Sequence, residues 1–225
     1  MARSLIALLL LVASAVHAAE PKKPERILVP RATKSPRVDG KLGKTEWTEA
    51  LQVALADGGQ ARLLHDGKFL YIAMVGKKPG TGSICTVKGK SLYVMHASSA
   101  LGSAVWTQKN GKSTLHRGFR FSNRDTTESQ RGIKDRKAFL KKAGWYANAH
   151  PDTAILEREF QIAIEGRSEI PLVLSFLSFV DEDDLDLDAW PQTVVDGCVE
   201  LDIASGFIKR EYTFQPETWG VAVLR

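Results

Sequence analysis

The sequence predicts an all-β fold, an antiparallel β-sandwich with one short helix. Three observations carry this reading. Asp66-Gly67 and Asn110-Gly111 each separate two runs that read as strands, the dipeptides that two-residue hairpin turns favour. Residues Phe69 to Val75 and Leu172 to Val180 are apolar at both parities, as strands covered on both faces must be. Only Ile133 to Ala143 reads as a longer helix, with Phe139 and Leu140 apolar, basic residues elsewhere and Gly144 at its stop. The composition agrees: of 225 residues, 44% are hydrophobic and 25% charged, with 18 Gly and 9 Pro, which excludes disorder, collagen and coiled coil as global descriptions.

In chain order, residues 1–18 read as a secretory signal: Arg3, an apolar run from Leu5 to Ala13, then Val16-His17-Ala18 with small residues at the cleavage site. That run is too short to span a bilayer, no second run of membrane length follows, and no cysteine at the cleavage site offers a lipid anchor. Residues 19–26 read as a linker and 27–225 as one sandwich domain, expected in the periplasm or outside the cell. Within it, Asp39-Gly40 signals a turn, and Thr45 to Ala50 reads as a helical turn that plants Trp47. Strands are expected over 61–65, 69–75, 83–87, 91–96, 103–108, 112–121, 159–164 and 172–180. In the seventh, strict alternation puts Phe160, Ile162 and Ile164 on the core side. The small residues of Ala97 to Ala104 permit close backbone approach, by another strand or by a ligand.

The net charge of +5 becomes +4 once Arg3 is removed, too little to imply nucleic acid. Its distribution is uneven: eleven Lys/Arg against three Asp/Glu between Lys109 and Lys142, then thirteen acidic against two basic residues from Glu157 to Asp202. These segments read as solvated faces or as partners for each other, since a nucleic-acid groove would interleave aromatics with its cations. Cys85 and Cys198 are the only cysteines, an even pair in an exported chain, and they read as a disulfide or as two buried thiols.

Several pieces together resemble the carbohydrate-binding module family 9-like, or DOMON-like, β-sandwich of jelly-roll type. Val38-Asp39-Gly40-Lys41-Leu42 followed by Glu46-Trp47 and Ala50 is similar to its opening signature. His65 to Ala73 resembles its next strand pair, and Glu159-Phe160-Gln161-Ile162-Ala163-Ile164 its later strand, with Pro171 displaced by several residues. The resemblance implies an exported, non-catalytic binding domain that takes a saccharide or similar polar ligand, with a clamp of two tryptophans. Trp106, Trp145 and Trp190, outside the shared signature and near expected strand ends or loops, are the candidates, each also readable as a packing residue. Trp47 and Trp219 read as core.

Other chemistries are weaker on the residues. Asp181, Asp183, Asp184 and Asp186 offer hard oxygen ligands, so calcium is a candidate, but the run lacks the wrapping glycine of an EF-hand loop and its Asp-Leu alternation also suits a charged strand edge. Haem, which the DOMON-like resemblance brings in with a redox role, would need Met74, Met95, His65, His96 or His116. Met95 and His96, as neighbours on one strand, point to opposite faces and cannot share an iron. A hydrolase built on His96, Ser98, Ser99 or Ser103 lacks a nucleophile-elbow motif, and no zinc motif is present.

Overall fold

In the computed structural model, residues 23–43, 45–109, 112–122, 129–148, 156–179, 184–208 and 212–225 are described. Strands β1 (Arg26–Val29), β2 (Leu51–Ala54), β3 (Gln60–His65), β4 (Phe69–Val75), β5 (Gly80–Lys88), β6 (Ser91–Ala97), β7 (Leu101–Lys109) and β8 (Lys112–Arg117) come first. Helix α1 (Gln130–Ala143) follows, then β9 (Trp145–Ala147), β10 (Glu157–Ala163), β11 (Glu169–Phe179), β12 (Leu185–Trp190), α2 (Leu201–Ala204) and β13 (Gly220–Leu224). The larger sheet runs β1-β13-β11-β5-β6-β7-β8 and the smaller β2-β3-β4-β10-β9. One edge of β11 pairs with β5. The other pairs first with β13, over Glu169–Leu172, and then with β12, over Leu174–Phe179. Among the named strands pairing is antiparallel apart from β1, which lies parallel to β13.

The core between the sheets is built by alternation: Leu70, Ile72 and Met74 of β4 and Phe160 and Ile162 of β10 meet Ile84 of β5 and Leu172, Leu174 and Phe176 of β11. The doubly apolar runs are therefore explained, because both sheets are also covered on their outer faces. Over the smaller sheet lies the segment carrying Val38 and Trp47; over the larger lie Cys198, Ile203, Tyr212, Phe214 and Trp219, packed on Leu92, Val94, Trp106 and Val173. Each large apolar side chain buried this way contributes about 1.5–3 kcal/mol.

Both covers are gripped by a buried carboxylate that accepts two backbone N–H groups and one indole N–H. Glu159 on β10 accepts from Asp39 N (3.0 Å), Gly40 N (2.6 Å) and Trp47 Nε1 (3.2 Å). Asp196 accepts from Cys198 N (2.9 Å), Gln215 N and Trp219 Nε1 (3.0 Å). Burial pushes Glu159 up to about 8 against the opposing pull of its donors, and burial likewise raises Asp196. The second cover has in addition the Cys85–Cys198 disulfide, with Cα atoms 6.2 Å apart, closing a sequence separation of 113.

The structure adjusts the expected elements in places. The strand expected over 112–121 stops at Arg117, where residues 118–121 leave the sheet. Close approach along Ala97 to Ala104 is made by the chain's own backbone: Leu101 and Ser122 exchange hydrogen bonds of 3.1 and 2.8 Å. A Cβ on Gly102 would lie 2.6 Å from the Phe121 ring. The expected signal, residues 1–18, falls outside the described residues. No described helix is long and apolar enough to cross a membrane.

Candidate ligand groove

Strand register brings one row of side chains across four strands on the inner face of the larger sheet: Thr86 opposite Tyr93, Tyr93 opposite Val105, and Val105 opposite Arg117. These residues share a face with Met95 of the inter-sheet core, and Leu92 and Val94 take the other. Ser91, Tyr93, Ser103, Val105 and Arg117 form the floor of a groove of about 700 Å³, within the size range of small-ligand sites. The row from Thr86 to Arg117 crosses three strand spacings, about 14 Å. At its far end an extra residue, His116, breaks the register, with Trp106 opposite Leu115. His116 also lines the groove.

One wall is the end of α1. Ser129 caps its start, its side chain accepting from Gly132 N at 3.0 Å, and Gly144 closes it in the left-handed region at φ 74. Gly144 O then accepts from Ala163 N at 2.8 Å, which pins the helix end to β10 and turns the chain into β9. This fixes Phe139, Lys141 and Lys142 along the groove. Arg117, Arg120 and Ser122 contribute to the lining from the β8 side.

The third side is the connection from β10 to β11. Glu165 sits there at φ 54, a left-handed conformation costing a non-glycine residue roughly 1–2 kcal/mol, and it forms an ion pair with Lys88. Arg167 holds this turn, donating to Ile164 O (2.9 Å), Ala163 O (3.0 Å) and Val87 O (3.2 Å), so the turn is tied to the end of β5. A narrower cleft of about 90 Å³ continues the groove inward past Tyr93 and Met95 to Trp145, Ile162 and Arg167.

The tryptophan expectation needs correction. Trp106, Trp145 and Trp190 are 1%, 3% and 1% exposed, so none offers a ring face to a sugar. Trp106 lies under the outer cover, edge-on to Tyr212 and Phe214 with centroids 5.9 and 5.1 Å away. Trp145 is nearly parallel to Phe160 at 6.3 Å and supports Phe139 at 5.4 Å, touching the narrow cleft from beneath. Trp190 donates from Nε1 to Glu25 at 2.9 Å. Trp47 and Trp219 are buried, as expected of core residues. The half-buried Tyr93 is the ring in this groove that the sequence analysis did not single out. Its register beside Ser103 and Val105 is invisible along the chain, although tyrosines belong to the right inventory for sugar stacking.

Of the calcium candidates, Asp181 and Asp183 lie outside the described residues. Asp184 is exposed and Asp186 half-buried on β12, the charged strand paired to β11 that the Asp-Leu alternation allowed. Among the described residues no group of three His, Cys, Asp or Glu side chains could hold a metal ion.

Met95 and His96 do point to opposite faces of the larger sheet, Met95 into the inter-sheet core. The imagined hydrolase pair is also rearranged. Ser103 is on the Met95 face, Ser98 turns back to Ala100 O (3.3 Å), and His96 Nδ1 instead meets Ser83 Oγ at 2.9 Å. That contact is walled by Phe119, Phe121 and the Ile203 carbonyl, with both side chains 1% exposed. Burial drives His96 down to about 3 and keeps it neutral.

A second recess of about 370 Å³ lies between Lys23, Glu25 and residues of the outer cover, including Pro191, Val195 and Gln215, with no aromatic ring in its lining. The groove over β5–β8 therefore has the stronger combination of size, ring and converging polar groups.

No family model matches the chain, and no curated protein matches it. Among solved structures, the chain is similar to a carbohydrate binding module family 9 protein from Caldicellulosiruptor kristjanssonii in complex with cellotriose. Identity is 11% and the TM-score 0.49, covering 89% of this chain and 94% of that one. The module from the same organism in complex with glucose gives 12% identity and a TM-score of 0.48, covering 89% and 96%. Likeness at this level carries no argument about ligand or site, and the sandwich stands on its own strand pairing.

Proposed function

We propose that the protein is an exported, non-catalytic binding domain that holds a saccharide or similar polar ligand in the groove across β5–β8. The observation that carries this reading is the floor: a half-buried Tyr93 ring flanked by Ser91 and Ser103 hydroxyls in a groove of about 700 Å³. A ring of this kind stacks on the apolar C–H patch of a sugar, and hydroxyl and cationic groups around it fix the sugar's oxygens. Helix α1, the Gly144 cap and the Arg167 staple hold the walls in place, so the ligand meets a preformed surface, which lowers the entropic cost of binding. Nothing in the floor pairs a nucleophile with a base. The buried Ser83–His96 contact lies on the opposite face of the same sheet.

The test is a calorimetric screen of the mature protein against oligosaccharides, neutral and acidic, with Tyr93→Ala beside it. Binding that weakens roughly tenfold or more in Tyr93→Ala, with the melting temperature within a few degrees of wild type, is expected. A ligand held equally well by Tyr93→Ala would place the site elsewhere, and an empty screen would count against saccharide binding altogether.

A further inference from the structure

The charges around the groove are one-sided. Arg117, Arg120, Lys141 and Lys142 all line it, all are exposed, and none is in an ion pair among the described residues. Among the described residues the only carboxylate in the lining, Glu165, already pairs with Lys88. A surface made merely for solubility intersperses both signs. Four uncompensated cations facing one concavity from two walls raise the local potential and concentrate counter-ions there. Lys141 and Lys142 do complement the C-terminal end of the α1 dipole, but Arg117 and Arg120 belong to no helix and face the same space. Their planar guanidinium groups suit two-point recognition of carboxylate or sulfate oxygens.

We infer that the ligand of this groove is an acidic oligosaccharide, one whose carboxylate or sulfate groups lie between the arginine side and the lysine side while a sugar ring rests on Tyr93. The inference rests on reading the groove as a saccharide site and adds the charge of the ligand. Single-stranded nucleic acid, the other polyanion a basic groove could hold, fits less well, because the lining offers Tyr93 and Phe139 rather than a run of rings for successive bases.

The experiment compares oligogalacturonate with a neutral galacto-oligosaccharide of equal length, each titrated calorimetrically into the full mature protein at 50 and 300 mM salt. A sulfated oligosaccharide and a single-stranded deoxyoligonucleotide serve as further arms. Expected is at least tenfold tighter binding of the uronate or the sulfated sugar than of the neutral one, with affinity falling as salt rises. That preference is lost in R117A/R120A and in K141A/K142A, while Tyr93→Ala weakens acidic and neutral sugars alike. Equal affinity for neutral and acidic sugars, both lost in Tyr93→Ala, would overturn the charge assignment and leave the groove reading standing. Acidic sugars held as tightly by Tyr93→Ala as by wild type would overturn it too, by showing charge without a sugar site. Preference for the oligonucleotide, or no binding by any arm, would also overturn it.

Discussion

The two outer covers of the sandwich use the same grip under different constraints. Glu159 holds the Asp39-Gly40 turn and the Trp47 indole from a strand of the smaller sheet. Asp196 holds Cys198, Gln215 and the Trp219 indole from within the cover itself. Only the second is also tied covalently to its sheet, through Cys198 and Cys85 of β5. The first cover is joined in sequence to β2, which begins four residues after Trp47, so its chain cannot drift far even when unpinned. In the second, twenty-eight residues separate β12 from the Trp219 anchor, and two 3-10 turns and the four-residue α2 hold little structure of their own. The disulfide there holds a cover with little structure of its own against β5, and closes a separation of 113 residues in the unfolded chain.

Removing the cross-link is the largest test of this contrast. Replacing both cysteines with alanine is expected to lower unfolding stability by about 4–5 kcal/mol, from the loop-closure entropy of the long separation. A fall in the urea midpoint together with early proteolytic cutting between Pro191 and Trp219, ahead of any cut near Trp47, would bear out the contrast. Simultaneous cutting at both covers would break it.

Glu159→Ala comes next, at roughly 3–4 kcal/mol, because it strands two backbone N–H groups and a buried indole at once. Asp196→Ala is expected to cost less, about 2 kcal/mol, as long as the disulfide keeps the cover close. Combined with the cysteine replacements its effect should exceed the sum of the parts, a coupling that a double-mutant cycle on urea midpoints measures directly.

The most specific effect is on pH dependence. Burial lifts Glu159 from its ordinary value of 4.5 to about 8, so between those values the native state holds a proton that the unfolded chain releases. Stability from this group is therefore fully present below about pH 4.5 and is lost as pH rises through about 8. Asp196, raised for the same cause, has the same sign. Glu159→Gln should flatten the decline of melting temperature across that range. A slope unchanged from wild type would show that Glu159 titrates without coupling to folding.

Much of the sandwich was legible in the chain. Asp66-Gly67 marked the β3–β4 hairpin, and the doubly apolar runs marked β4 and β11 as covered strands, with β3 and β4 within one residue of the ends observed and β11 starting three residues earlier than expected. The expected helix was short by only one turn at its start, where Ser129 provides a cap without an apolar signal. Less legible were β1, β2, β9 and β13, strands of three to five residues whose partners and not their patterns define them. The tryptophans misled for a related reason. Trp106 and Trp190 lie on or near strand ends, where solvent is the default neighbour, but the outer cover of the larger sheet takes its place at Trp106 and the inter-sheet core takes it at Trp190. The groove was hidden because register alone unites Thr86, Tyr93, Val105 and Arg117, and because the basic segment from Lys109 to Lys142 read as a solvated face until α1 and β8 brought parts of it together.

The parallel pairing of β1 with β13 has a consequence for biogenesis. Residues 220–224 are translated last among the strands described, yet they stand between β1 and β11. A nascent chain therefore carries Arg26–Val29 without a strand partner, and half of one β11 border bare, until those five residues arrive. The edge of the larger sheet cannot be completed in the order of synthesis. A translation stop before Gly220 would leave unpaired the borders of β1 and β11 that β13 joins in the finished protein.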